Sequence, residues 1–472
     1  MITATISEPA RPLRDLKYGP LLVLLALGLF VRIALMFMYH PAVMLSFDSP
    51  RYARVGPRDL FGDFWMPAGY PLLLHLLHAV TRQLWFTVAI QHLLGLASGV
   101  ILYLTMMRLG LQRWLACLPA AVVFLSGDHL YLEHQLMADS FLIFLTVAGL
   151  GAAVDGLIGR NLRWLAIAST LLEMAALTRS VGVVLLPIFF LCTASTVTGS
   201  LRARGMALAA ALLPGVAIFL FYLAAFKLAH GQYAGLTNMS GWNLYSRVAP
   251  FADCREFTPP KETALLCETA PSSQRLGPFG YVWDANSIAR RAFTLDPAPN
   301  DKLKAFAWQV ILHQPGDYLW AVGIDLLRYI EPSIATPRGY SGQPREILSF
   351  GWRDRSVERL VVRALSNKYR GTAVHLRGQE ILGAYQNFFR VGGLALAALI
   401  AFTLVGMIRS RGHVRFVLFL FGLSGLALYI VPVLTVSYDF RYGIPAETLV
   451  VVSGILGIIS SWPIPGFRLT NR

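Results

Sequence analysis

Ten apolar runs, most of them near the length of a membrane span, divide the 472-residue chain. They lie at 18–38, 85–107, 114–127, 138–157, 162–178, 181–199, 206–228, 387–408, 414–434 and 444–461. A bilayer-spanning helix needs about 20 such residues, and hydrocarbon tolerates only backbone that bonds to itself. The runs at 114–127 and 162–178 are the shortest. Composition agrees: 56% of residues are hydrophobic and 14% are charged, where soluble domains carry about 25% charged residues. A soluble enzyme and a disordered chain are excluded. The net charge of +15 does not point to nucleic acid, because basic residues gather at the ends of the apolar runs. In a membrane protein that placement meets anionic lipid or phosphate.

The basic residues also set an orientation. Arg11, Arg14 and Lys17 precede the first run, and Arg108 with Arg113 separates the second and third. Arg160 with Arg163, Arg202 with Arg204, and Arg409, Arg411 and Arg415 occupy every second connection after that, and Arg468 and Arg472 close the chain. With ten spans, all of these fall on one face, which the positive-inside bias makes cytoplasmic. The expected organisation is a membrane module at 1–228, a large loop at 229–386 and a second membrane module at 387–472. The opposite face receives the first loop at 39–84, a short loop near 128–137 and the large loop. The expected location is the plasma membrane, with the active face towards the periplasm or exterior.

The large loop has its own helical pattern. Leu303, Phe306, Val310 and Ile311 share one helical face, and Pro315 starts a second helix with Leu319, Val322, Leu326, Leu327 and Ile330. Residues 332–344 read as a connection, and 355–369 as a basic amphipathic helix on the membrane surface. Cys254 and Cys267 face an oxidising compartment, so two readings stand: a disulfide, or two reduced thiols. Asn238-Met239-Ser240 matches a glycosylation sequon.

Polar residues concentrate on the non-cytoplasmic face. The first loop contains Asp48-Ser49-Pro50-Arg51-Tyr52, and a helical turn from Pro50 would bring Asp48 near Arg51. A carboxylate beside arginine stays ionised and can accept a proton from a hydroxyl. Asp48 reads equally as a helix N-cap. The second loop holds Asp128, His129, Glu133, His134 and Asp139. Glu133 and His134 are direct neighbours on a helix, so they do not face one metal together. Asp139 suits a helix first turn by the helix dipole alone, yet charge at that depth also marks functional sites. Arg179 and Arg441 sit in short loops on the face where arginine is disfavoured, at the depth of a lipid phosphate.

Three segments carry a resemblance to a known group. They are Asp48-Ser49-Pro50-Arg51-Tyr52-Ala53 with Gly62-Asp63-Phe64-Trp65 and Pro67-Ala68-Gly69-Tyr70-Pro71-Leu72-Leu73; Ala176-Leu177-Thr178-Arg179; and Asp439-Phe440-Arg441-Tyr442-Gly443-Ile444-Pro445. The chain resembles the GT-C glycosyltransferases, within them the dolichyl-phosphate-mannose–protein mannosyltransferases and the lipid A aminoarabinose transferase. The resemblance covers residues 15–230 and the last span best. It implies an all-α polytopic membrane protein, a GT-C-like bundle of about ten transmembrane helices with a large, mostly helical exoplasmic loop. It implies Asp48 as the base and Arg51 as a ligand of the donor phosphate. By side and depth, Arg179 and Arg441 join that phosphate site. Tyr52, Tyr70, Glu133, His134, Asp139 and Tyr442 are the candidates for contacting substrate. This sequence has Pro67-Ala68-Gly69 where the family often has paired prolines.

The expected activity is transfer of a sugar from a polyprenyl-phosphate donor to a hydroxyl of a lipid, glycan or protein acceptor, with inversion. The expected surroundings are membrane lipids, with no nucleic acid. A divalent metal near Asp48, Glu133 or His134 is compatible with the residues and not required by them. The alternatives are a transporter or flippase of lipid-linked sugars, and a binding or assembly protein. Transporters bind near the midplane and often show repeats, whereas here the polar cluster lies at one surface and the sequence shows no repeat.

Overall fold

The computed structural model describes residues 18–44, 48–54, 60–231, 235–334 and 345–461. The basic groups at Arg11, Arg14, Lys17, Arg468 and Arg472, and the connection at 335–344, lie outside the described residues. All ten apolar runs form helix. Among the described residues seven helices are long and apolar enough to cross a membrane, and a further pair, bent by 50°, passes the same test when taken together. The remaining two runs form shorter helices. A 17-residue helix rises about 26 Å, less than the ~30 Å of hydrocarbon.

The chain begins with α1 (Gly19–Met38) and enters the first loop through a two-residue strand, β1 (Tyr39–His40). That loop carries α2 (Ser49–Arg54) and α3 (Gly69–Val80). α4 (Leu84–Arg108) crosses back, and α5 (Arg113–Leu125) with α6 (Gly127–Glu133) forms the bent pair. α7 (Asp139–Ile158) and α8 (Leu162–Thr178) follow. A 3-10 turn at Ser180–Val184 leads into α9 (Leu185–Thr196), and α10 (Leu201–His230) ends this module.

The large loop is helical, as its periodicity suggests. It contains α11 (Ser240–Val248), α12 (Pro278–Trp283), α13 (Ile288–Ala292), α14 (Asn300–His313), α15 (Pro315–Ile330) and α16 (Arg355–Leu365). Trp242, Tyr245, Phe257, Tyr281, Leu303, Phe306 and Val310 form its core. Cys254 and Cys267 are joined by a disulfide, with Cα atoms 5.8 Å apart. Strand β2 (His375–Leu376) pairs antiparallel with β1, tying the end of the large loop to the start of the first loop. α17 (Gln379–Phe388) and α18 (Gly393–Arg409) run on as one 31-residue apolar segment. α19 (Gly412–Thr435) and α20 (Phe440–Ser461) complete the bundle.

α14 buries Leu303, Phe306 and Val310, but on α15 Leu319 is 63% and Leu327 50% exposed. On α15 the buried positions are Val322, Asp325, Arg328 and Tyr329, and Arg247 of α11 bonds Asp325 there at 2.5 Å. The segment 128–137 is not a surface loop: α6 folds inward and buries Asp128, Glu133 and His134. Asn238 of the sequon is also buried, out of reach of a modifying enzyme.

Replacing Cys254 and Cys267 by serine removes a cross-link between residues 13 apart in sequence. The expected loss is about 3 kcal/mol at most under the chain-entropy model. Amide exchange should accelerate across 254–267 and the neighbouring α11 and α14, and stay unchanged in α4, α7 and α20.

Candidate functional site

The ends of α7, α8, α19 and α20 that meet on one face of the bundle surround a cavity of about 500 Å³, roofed by the large loop. Asp48, Arg51, Tyr52, Asp139, Arg179, Arg441 and Tyr442 all line this cavity. Seven candidates drawn from four separated stretches of sequence therefore converge.

Asp48 stands immediately before α2. Its carbonyl accepts the Tyr52 N–H at 2.9 Å, which starts the helix. Its carboxylate turns away from α2 and accepts a hydrogen bond from Arg441 Nη1 at 3.0 Å. The N-cap reading of the side chain is thus replaced by an ion pair across 393 residues of sequence. The expected partner was Arg51. Burial alone would raise the Asp48 pKa, but the guanidinium groups of Arg441, Arg51 and Arg179 together hold it below its ordinary 3.8. Asp48 is an ionised carboxylate at neutral pH, partly open to the cavity.

Arg51 is engaged elsewhere. Its guanidinium forms a two-pronged ion pair with Asp63, at 2.9 and 2.5 Å, and lies 5.8 Å from the rings of both Trp65 and Trp283. Those rings are 5.1 Å apart, so Arg51 clips the first loop to α12 of the large loop. It still lines the cavity, and its charge still acts on Asp48.

Arg179 and Arg441 flank the Tyr442 ring, with guanidinium carbons 5.1 and 5.3 Å from its centre. Arg179 donates to Asp139 at 2.6 Å. Arg441 Nε and Asp139 Oδ2 are buried without a hydrogen-bond partner, an arrangement that leaves one donor and one acceptor to be met at the site. The close approach of α3 to the end of α8 helps set Arg179: a Cβ at Gly69 would lie 2.5 Å from the Leu177 carbonyl oxygen. Beyond this charged end the lining becomes aliphatic, with Leu142 of α7, Val181 and Val183 of the turn, and Leu428, Val431 and Pro432 of α19. Asn243 of α11, Trp283 and Lys304 line the opposite wall, and no sequence motif marks them.

Tyr70, Glu133 and His134 do not line the cavity. Glu133 accepts from Arg32 at 2.7 and 2.8 Å and meets His92 at 2.7 Å. His92 contacts His134 at 3.0 Å, and His134 Nε2 meets the Tyr39 carbonyl at 2.6 Å. Tyr70 donates to Gln91, which in turn donates to the Glu133 and Gln135 carbonyls. Arg32 spends its remaining N–H groups on the carbonyls of Gly28, Val123 and Phe124. This buried network fastens α1 and α4 to the α5–α6 bend. Its sequence signature, an acid beside histidine, is the same as that of a reactive site, and only the fold separates the two. Among the described residues no three His, Cys, Asp or Glu side chains form a metal cage. Asp48 faces Arg441 and Glu133 faces Arg32, a poor donor set for a cation.

Neither a protein-family model nor a curated protein sequence matches the chain. Solved structures do. The oligosaccharyltransferase of Archaeoglobus fulgidus in its apo form aligns with 94% of this chain and 51% of its own, at 13% identity and a TM-score of 0.46. Archaeal oligosaccharyltransferase AglB from the same organism, in complex with an inhibitory peptide and a dolichol-phosphate, aligns with 94% of this chain and 50% of its own, at 12% identity and a TM-score of 0.47. ArnT from Cupriavidus metallidurans bound to undecaprenyl phosphate aligns with 94% of this chain and 78% of its own, at 13% identity and a TM-score of 0.37. The chain spans about half the length of the oligosaccharyltransferase chains.

Replacing Arg32 by Met strands the Glu133 carboxylate in the bundle. Breaking a buried pair from one side costs roughly 3–5 kcal/mol. The thermal midpoint of the purified protein in detergent should fall sharply, and the double change Arg32→Met with Glu133→Leu should recover most of the loss.

Proposed function

We propose that the chain is a membrane glycosyltransferase that moves a sugar from a polyprenyl-phosphate donor to an acceptor hydroxyl on the non-cytoplasmic face. One observation carries this reading: a single cavity joins an ionised Asp48 and the Arg179–Arg441 pair at one end to an aliphatic groove between α7 and α19 at the other. A polyprenyl phosphate has the same division, an anionic head on an apolar tail.

The tail lies along Leu142, Val183, Leu428 and Val431, with the phosphate at Arg179 and Arg441. The acceptor enters from the wall of Asn243, Trp283 and Lys304. The acceptor oxygen attacks the anomeric carbon, and its proton passes to the Asp48 carboxylate. The bond from that carbon to the phosphate oxygen breaks, and the electron pair leaves with the polyprenyl phosphate. Attack opposite the leaving group inverts the anomeric configuration. The departing phosphate gains one negative charge, and prepositioned guanidinium groups stabilise charge that develops in the transition state. Arg441 holds both Asp48 and the phosphate end, so base and leaving group keep a fixed separation.

The test uses the purified full-length chain in proteoliposomes with a radiolabelled polyprenyl-phosphate hexose and a membrane extract as the acceptor source. Asp48→Asn should lower label transfer by ~10²–10⁴-fold, the usual range for a general base, and keep the affinity for the donor. Equal transfer by both proteins would overturn the assignment of Asp48. Arg179→Gln should weaken binding of polyprenyl phosphate by about tenfold or more, since charge-assisted hydrogen bonds contribute ~1.5–3 kcal/mol.

The pH profile gives a separate check. A base with a lowered pKa works above that pKa and fails as pH falls through it, so the acid limb set by Asp48 lies below its ordinary 3.8. Arg441→Gln removes the largest opposing charge and leaves burial to dominate. The limb should then move upward, towards neutral pH, in the residual transfer rate.

A further inference from the structure

α16 presents a surface that the transferase reading does not use. Arg355, Arg359 and Arg363 recur every four residues and are exposed, so they form one stripe along the helix. Leu360 beside them is 67% exposed. The other face is apolar: Val361 and Leu365 are buried in one cluster with Tyr52 of α2 and Tyr70 of α3. α16 therefore lies directly on the helix that follows Asp48.

The acids near the stripe are already occupied. Glu358 is held by Arg353 at 2.6 and 2.7 Å, and Asp354 caps α16 through the N–H groups of Ser356 and Val357. Among the described residues, none of the three stripe arginines has an acidic partner. Arg359 and Arg363 line a shallow groove with Leu360, Val362, Val374 and Glu358, whose carboxylate is taken up by Arg353. Two guanidinium groups beside branched aliphatic side chains suit a phosphate attached to an acyl chain.

The depth of α16 is set by its neighbours. Five residues past its end, the Arg370 carbonyl accepts from Leu84, the first residue of α4, at 3.1 Å, and the Arg370 N–H donates to Arg82 at 2.8 Å. α4 is a span, and Trp85 in its first turn is 41% exposed, as is usual where a helix enters the headgroup layer. Leu72, Leu76 and Val80 of α3 expose aliphatic surface nearby.

We propose that α16 is an interfacial helix that binds anionic phospholipid through Arg355, Arg359 and Arg363, and that this docking steadies the Asp48 loop beneath it. The lipid is anionic because a choline headgroup would bring a second cation against three unneutralised arginines. The inference goes beyond the transferase reading and does not depend on it.

Amide exchange on the full-length chain in nanodiscs tests it. One set is phosphatidylcholine alone, and the other is phosphatidylcholine with phosphatidylglycerol. Exchange in α16 and α2 should slow several-fold with phosphatidylglycerol, and high salt should shrink the effect. The triple change Arg355→Gln, Arg359→Gln, Arg363→Gln should abolish the response, and the matching triple change to Lys should keep most of it. Equal exchange of the wild type in the two bilayers overturns the proposal, as does a response that survives in the Gln variant. A slowing by inorganic phosphate in phosphatidylcholine discs equal to that by phosphatidylglycerol also overturns it, because the site would then take free anions and not lipid.

Discussion

The bond between Arg441 and Asp48 joins the first loop to the last helix, and the cavity forms around that junction. An ion pair half inside a bundle persists only where both charges are held in place. Here the Asp48 backbone starts α2, and the Arg441 backbone N–H bonds the Asp439 carboxylate at 3.0 Å in the first turn of α20. Arg179 with Asp139 forms a second pair on the other side of Tyr442. Two ion pairs thus meet at one aromatic ring, in a space that opens onto aliphatic helix surface.

Charge is handled differently a short way into the bundle. Arg32, Glu133, His92 and His134 complete their hydrogen bonds with one another and with backbone carbonyls. That network fixes the α5–α6 bend and offers little for a ligand to bind. At the cavity, Arg441 Nε and Asp139 Oδ2 remain unpartnered.

The large loop closes the cavity and also anchors it. Arg51, paired with Asp63 and set against Trp65 and Trp283, joins the first loop to α12. β2 pairs with β1, and α16 covers α2. The short segment after α1 is thereby fixed from three directions by chain that follows it by more than 200 residues.

The ten helical runs, the α14 and α15 helices and seven residues of the cavity were legible in the sequence, because apolar run length and helical period are local properties. Tertiary structure decided the rest. Arg51 pairs with Asp63 rather than Asp48, while Arg441 reaches Asp48 from α20. Glu133, His134 and Tyr70 look reactive in sequence but lie outside the cavity, in a buried network with Arg32, His92 and Gln91. α15 buries Asp325 and Arg328 beside Val322, because Arg247 supplies a buried partner for Asp325. Lys304, Asn243 and Trp283 carry no motif, and only the folding of the large loop over the helix ends brings them to the cavity. Sequence determines which segments enter the membrane and which side is charged; which charge meets which is set by contacts between residues hundreds of positions apart, and no local pattern encodes those.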